Sequence, residues 1–250
     1  MAVTIEPLLT GTLSCPRSQL EADATDTEIT IPVPSWLIRH PKGVMLMDCG
    51  MHTDLAAPSD YLDLVSLFFR VGLTSDQLVG ERLNAVGVDP ADVDIVVLSH
   101  LHFDHAGGLS QLPNARVIVQ RDEWAAGGDD DIAGANGFVP TDYRLGHDVV
   151  TVDGEHDVFG DGLVTCIPTP GHTPGHQSLR VRLADREIVL CGDCAYFEET
   201  LNGGALPPGG NNPDLHRASV ERLKGLGAAG ATLVPGHDPD TFAALGDRLN

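Results

Sequence analysis

Short apolar runs alternate with glycine- and proline-rich turns along the chain, and most of the runs have the length of a strand. Glu28–Val33 and Trp36–Arg39 alternate apolar and polar positions and are divided by Pro32 and Pro34, which predicts two short strands. His40-Pro41-Lys42-Gly43 is a turn signal and Val44–Met47 resumes as a strand, so a β-hairpin ends at Asp48-Cys49-Gly50. Ala57–Arg70 carries Leu62, Val65, Leu67, Phe68 and Phe69 without a clean period and reads as either a helix or a mobile flap. Ser75–Val86 predicts an amphipathic helix, capped by Ser75, with Leu78, Val79 and Leu83 on its apolar face and Gly87 as its stop. Ile95–Leu98 and Val117–Gln120 read as buried strands. Asp122–Ala126 begins a short helix, and the acidic, glycine-rich Gly127–Gly137 reads as a flexible loop. Val149–Val152, Val158–Phe159, Leu163–Pro168, Ser178–Leu183 and Glu187–Leu190 are strands joined by tight turns. Pro213–Leu226 is a helix, Thr232–Pro235 a last strand and Thr241–Leu249 a last helix. Strands in runs, few helices and polar motifs directly after strands predict a layered α/β protein with its site along one edge of the sheets. No linker or repeat divides residues 1–250, which read as a single domain.

Composition narrows the function. Lys+Arg is 15 against Asp+Glu 36, a formal charge of −21. A nucleic-acid partner needs a basic footprint and an anionic membrane needs a polybasic one, so both are excluded as partners. The longest apolar runs, such as Val44–Met47 and Ile95–Leu98, are far shorter than a membrane span. Five scattered cysteines (Cys15, Cys49, Cys166, Cys191, Cys194) do not suggest a disulfide framework, and Met1–Pro16 has no leader pattern. The expectation is a reduced, cytoplasmic protein.

The histidines carry the chemistry. His100, His102, Asp104 and His105 fall within six residues directly after a buried strand, and Ala106-Gly107-Gly108 lets the backbone pass close to them. Imidazole and carboxylate are the usual nitrogen and oxygen ligands of zinc and similar ions. In a tight turn His100 and His102 can serve one ion while Asp104 and His105 face another. Three later segments repeat the pattern of a ligand type after an apolar strand: Pro170-Gly171-His172-Thr173-Pro174-Gly175-His176, Leu190-Cys191-Gly192-Asp193 and Val234-Pro235-Gly236-His237-Asp238.

His100-x-His102-x-Asp104-His105, followed in order by His172, Asp193 and His237, resembles the metallo-β-lactamase superfamily, whose fold is a four-layer αββα sandwich. Within it, Ser99–Gly108, Gly171–Ser178 and Asp193-Cys194-Ala195-Tyr196 resemble the N-acyl-homoserine lactonases, which quench quorum-sensing signals. The resemblance implies two divalent metal ions, zinc first among zinc, iron, cobalt and manganese. It assigns one ion to His100, His102 and His172, the other to Asp104, His105 and His237, with Asp193 bridging. It implies a small-molecule lactone substrate, opened by a hydroxide held between the two ions. Tyr196 would donate to the developing oxyanion, and Asp104 would carry the proton to the leaving alkoxide.

His176 and Asp48 are expected to support these ligands; His40, His52, His147, His156 and His216 lack motif context and read as surface residues. Phe68, Phe69, Phe103, Phe138 and Leu206 are candidates for an apolar acyl pocket. Cys49 stands where the family commonly has threonine, and Cys191 and Cys194 frame Asp193 as C-x-x-C, read as buried small residues rather than a redox or zinc pair. The competing substrates are another small lactone or a thioester, as in glyoxalase II; only thirteen residues follow His237, which opposes the latter's extra helical region. A mono-iron persulfide dioxygenase on the same fold would use fewer of these ligands. Oligomeric state is open, a homodimer included.

Overall fold

A computed structural model describes residues 2–249. Its first sheet contains β1 (Thr4–Pro16), β2 (Glu28–His40), β3 (Gly43–Met47), β4 (Arg70–Gly72), β5 (Ile95–Val97), β6 (Arg116–Gln120) and β7 (Val149–Val152), in the order β4-β1-β2-β3-β5-β6-β7. The second contains β8 (His156–Asp157), β9 (Val164–Pro168), β10 (Gln177–Arg182), β11 (Glu187–Leu190) and β12 (Thr232–Val234), in the order β12-β11-β10-β9-β8. The α-helices are α1 (Asp60–Val65), α2 (Val79–Ala85), α3 (Phe103–Ala106), α4 (Arg121–Gly128), α5 (Asp130–Ala135), α6 (Pro140–Tyr143), α7 (Glu198–Leu201), α8 (Pro213–Ala228) and α9 (Pro239–Ala244).

Alternation along the strands builds the layers. Ile38, Met45, Met47 and Val97 from the first sheet meet Val164, Leu179, Val181 and Leu190 from the second in one apolar cluster, the core between the sheets. The opposite face of the first sheet, through Leu37, Leu46, Val96 and Val117, packs on Val79 and Leu83 of α2 and Ala126 of α4. Val189 and Leu233 of the second sheet pack on Val220, Leu223 and Leu226 of α8. Helix, sheet, sheet, helix is the αββα layering expected from the sequence.

Several local expectations are corrected. The prolines do not split β2: Pro34 pairs with Leu9 and Pro32 with Thr12, and the register of β1 shifts between those partners. The ladder is already irregular there, which is where a strand tolerates prolines, and Thr10 Oγ1 donates to Val33 O at 2.8 Å beside them. The acidic stretch expected to be a flexible loop holds α5. Asp129 caps it by accepting from the N–H groups of Asp131 and Ile132, and Asp130 and Asp131 fill its first turn, where carboxylates complement the helix dipole. The flap candidate is helical only over Asp60–Val65, and the last helix stops at Ala244, leaving Leu249 to bridge back to Ile5. No strand forms at Val158–Phe159, where one was expected; the two-residue β8 lies just before it, at His156–Asp157.

The site follows from strand direction. β3, β5 and β6 run parallel, as do β11 and β12, and β9 and β11 both run antiparallel to β10. Asp48, His100–His105, His172, Asp193 and His237 all follow the C-terminal ends of these strands, at one edge of both sheets.

Candidate metal centre

Two groups of ligand-type side chains converge at that edge: His100, His102, His172 and Asp193 in one, Asp104, His105 and His237 in the other, each with donor atoms within 4.8 Å of one another. Asp193 faces both. Its Oδ1 lies 3.1 Å from His105 Nε2 and 3.0 Å from His237 Nε2, and its Oδ2 lies 3.3 Å from His172 Nε2 and 3.6 Å from His100 Nε2. Asp104 Oδ2 is 3.6 Å from His105 Nε2 and 3.7 Å from His237 Nε2.

The outward nitrogens decide which lone pairs face inward. Asp48 sits at φ 60°, a left-handed conformation that aspartate tolerates, just after β3. Its Oδ1 accepts from the Ser99 N–H at 2.7 Å; its Oδ2 accepts from Ser99 Oγ at 2.8 Å and from His105 Nδ1 at 2.8 Å. With its own proton committed to Asp48, Ser99 Oγ accepts from His100 Nδ1 at 2.9 Å. His237 Nδ1 donates to Pro32 O at 2.8 Å, and His102 Nε2 donates to Asn136 O at 2.8 Å. Nε2 of His100, His105 and His237, and Nδ1 of His102, are thereby turned to the centre.

Inside, the nitrogens crowd each other. His100 Nε2 is 2.9 Å from His102 Nδ1, which is 3.1 Å from His172 Nε2, and His105 Nε2 is 3.3 Å from His237 Nε2. Ligands set tetrahedrally at 2.0–2.1 Å from an ion lie about 3.3 Å apart, so the spacing and the nitrogen–oxygen donor set fit a zinc-type cation. The protonation equilibria agree. Burial lowers His100 and His172 well below the ordinary histidine range. Burial opposes charge on His105 and His237 as well, but the carboxylates, Asp193 foremost, outweigh it and raise both. Protons held there against Asp193 mark the places where a cation would displace them.

The surroundings sort the other candidates. The Tyr196 ring lies 5.7 Å from that of His172 and 5.4 Å from that of His237; burial and the Asp193 and Asp104 carboxylates raise its phenol, which stays a donor. Phe103 and Phe69, 6.0 Å apart, pack with Tyr196 on an apolar cluster that includes Leu13, Ile31, Met51 and Phe197. Phe138 is buried in the core beside His102, Phe68 is 63% exposed, and Leu206 packs on the cluster under α8 that includes Cys194, Val220 and Leu223. His176 is fully buried between Thr169 Oγ1 and the Asp193 N–H, which its Nε2 accepts at 3.0 Å; burial lowers it to about 3. Added Cβ atoms at Gly107 and Gly108 would lie 2.5 Å from His52 N and 2.0 Å from Cys49 O, which is why this turn needs glycine.

Two histidines read as surface residues are buried. His216 Nε2 donates to Cys194 O at 2.9 Å, and His40 stacks on Phe159 at 3.9 Å. The signal for His216 was present, because His216, Ser219, Val220 and Leu223 form the buried stripe of α8 at helical spacing. Cys191 and Cys194 are free and buried, with Cys191 raised to about 12, and neither enters a ligand group among the described residues. Sequence reasoning missed Glu123, which is fully buried between the histidine loops, and the backbone acceptors of Pro32 and Asn136, for which no residue-type signal exists.

The family model of the metallo-beta-lactamase superfamily matches residues 30–237. The chain is 36% identical over 248 residues to the N-acyl homoserine lactonase AttM of Azorhizobium caulinodans, covering 95% of this chain and 94% of that one. It is 31% identical over 206 residues to the N-acyl homoserine lactonase AiiA of Bacillus thuringiensis subsp. kurstaki, covering 78% and 76%. Among solved structures, an N-acyl homoserine lactone hydrolase with its product N-hexanoyl-L-homoserine bound at the catalytic metal centre superposes with a TM-score of 0.84 at 26% identity, over 98% of each chain. Among the described residues no helix is long and apolar enough to cross a membrane.

Proposed function

The chain belongs to the metallo-β-lactamase superfamily, and from that premise we propose that it hydrolyses the lactone ring of N-acyl-homoserine lactones. The observation that carries the reading is Asp193 between two groups of ligand atoms, one carboxylate oxygen toward each, in a chain so similar to lactonases throughout its length.

His100, His102 and His172 would hold one divalent ion, Asp104, His105 and His237 the other, and Asp193 would contact both. Nitrogen and oxygen donors at tetrahedral spacing favour zinc. Bound there, the ions would supply Lewis acidity and a water acidified to about pKa 7. The protein's own groups do the rest. Tyr196 remains protonated above the histidines and donates to the carbonyl oxygen as charge develops on it. Asp104 takes a proton from the attacking water and returns it to the ring oxygen as the ester bond breaks, which balances the opening to a hydroxy acid. Phe103, inside the metal loop, and Phe69 beside it offer an apolar wall for the acyl chain. One core shared by both sheets supports reading the chain as one domain, and five free, buried cysteines fit a reducing cytoplasm.

Acid release from N-hexanoyl-homoserine lactone by the zinc-loaded protein, with γ-butyrolactone run beside it, tests the reading. Rapid opening of the acylated ring is expected. A protein that binds two ions and opens neither lactone refutes the substrate assignment.

A further inference from the structure

Glu123 stands in the first turn of α4 with none of its surface exposed, and no Lys, Arg or His forms an ion pair with it among the described residues. Burial alone pushes its carboxyl up to about 7, against the pull of the Gly175 N–H, the Thr173 hydroxyl and the Leu101 N–H. A buried carboxylate without a cation is costly, so its contacts matter. Oε1 accepts the Leu101 N–H at 3.0 Å and Oε2 accepts the Gly175 N–H at 2.8 Å.

These two amides lie in different metal-type loops. Leu101 separates His100 from His102; Gly175 lies between His172 and His176. One carboxylate therefore spans the two segments that supply the histidines of a single ligand group. His176 in turn accepts the Asp193 N–H, so the second loop also bears on Asp193. The packing is built for this contact. A Cβ added at Gly175 would come within 2.3 Å of Glu123 N and 2.8 Å of Glu123 Cβ, and one added at Gly127 of the same helix within 2.4 Å of Leu101 Cδ1. Glycine on each side brings α4 against both loops.

We propose that Glu123 is a positioning residue that sets the spacing of His100 and His102 against His172, and with it the affinity of that group for its ion. The proposal rests on the metal reading above. It assigns no such dependence to Asp104, His105 and His237, whose histidines are held by Asp48 and Pro32 O.

The test uses wild type, E123Q and E123D, stripped of metal and titrated with zinc against a chromophoric chelator, with cobalt-loaded samples read for their d–d bands. Glutamine has one acceptor oxygen for two N–H groups; aspartate keeps the charge but is too short to reach both, and serves if E123Q is unstable. Wild type is expected to bind two ions. The variants are expected to keep the wild-type circular dichroism, to bind one ion normally and the other 10–100-fold more weakly, the usual effect of losing a group behind a ligand. The cobalt bands should change, and kcat should fall with KM for the lactone held. Variants that bind both ions with wild-type affinity and bands overturn the proposal alone. A wild type that takes up no ion overturns the metal reading and the proposal with it.

Discussion

Replacing Asp48 by asparagine changes one atom in the hydrogen-bond relay and leaves the backbone at ease, since asparagine accepts φ 60° as readily as aspartate. Asp48 receives three donors: Ser99 N–H, Ser99 Oγ–H and His105 Nδ1–H, at 2.7, 2.8 and 2.8 Å. An amide orients its single oxygen toward at most one side of that set. If it keeps Ser99 Oγ and His105, its NH₂ faces the Ser99 N–H. Each surviving bond then falls from a charged to a neutral acceptor, a loss of about 1 kcal/mol, and an unpaired buried N–H costs about 1–3 kcal/mol, for roughly 4 kcal/mol in total. For a chain of this length that is a fall in Tm of roughly 8–16 °C, a large part of a stability of about 5–15 kcal/mol. His105 also loses the partner that fixes its Nδ1 proton, so the ion at Asp104, His105 and His237 should bind about 10–100-fold more weakly. Thermal unfolding of the metal-free protein and zinc titration read the two effects separately. A D48N protein with a Tm within about 2 °C of wild type and both ions at full affinity would refute the claim that this relay orients His105.

Tyr196→Phe keeps the ring between His172 and His237 and removes the donor, so kcat should fall about 10²–10³-fold with metal content unchanged, read by steady-state kinetics and metal analysis. Asp104→Asn should keep the fold by circular dichroism and lose turnover by about 10²–10⁴-fold; full activity would remove Asp104 from the proton path. Asp142 is buried, accepts the Tyr61 hydroxyl at 2.5 Å and is pushed by burial up to about 7. An acid raised in the folded state favours the folded state at low pH and loses that contribution as pH rises through the folded value. Asp142→Asn, which still accepts from Tyr61, should therefore stabilise the metal-free protein at pH 8 by roughly 2–4 kcal/mol and leave it nearly unchanged at pH 4. Denaturant unfolding at the two pH values measures the difference, and an equal effect at both would contradict the assignment.

What the sequence determined on its own is local. Apolar runs of strand length fixed most strands, and His100-x-His102-x-Asp104-His105 showed its chemistry because three histidines and an aspartate after a buried strand have few other uses. His172, Asp193 and His237 were legible as ligand types after strands, and the family pattern gave their grouping. Residue pattern was misleading where a neighbour in space reverses a local rule. Prolines divide a strand unless the partner strand is irregular opposite them, as β1 is opposite Pro32 and Pro34. An acidic, glycine-rich stretch is a loop unless its acids cap a helix, as Asp129 does. Tertiary structure alone decided the rest. Asp193 meets both groups because β11 and β12 run parallel and end at the same edge as β5. Pro32 O and Asn136 O act through the backbone, which every residue has, so no residue type marks them. Glu123 looks in sequence like any acid in a first helical turn; only the approach of Leu101 and Gly175, 22 and 52 residues away, turns it into a clamp. Ligand identity is a property of side chains and can be read along the chain, whereas ligand orientation depends on contacts between distant segments and exists only in the folded molecule.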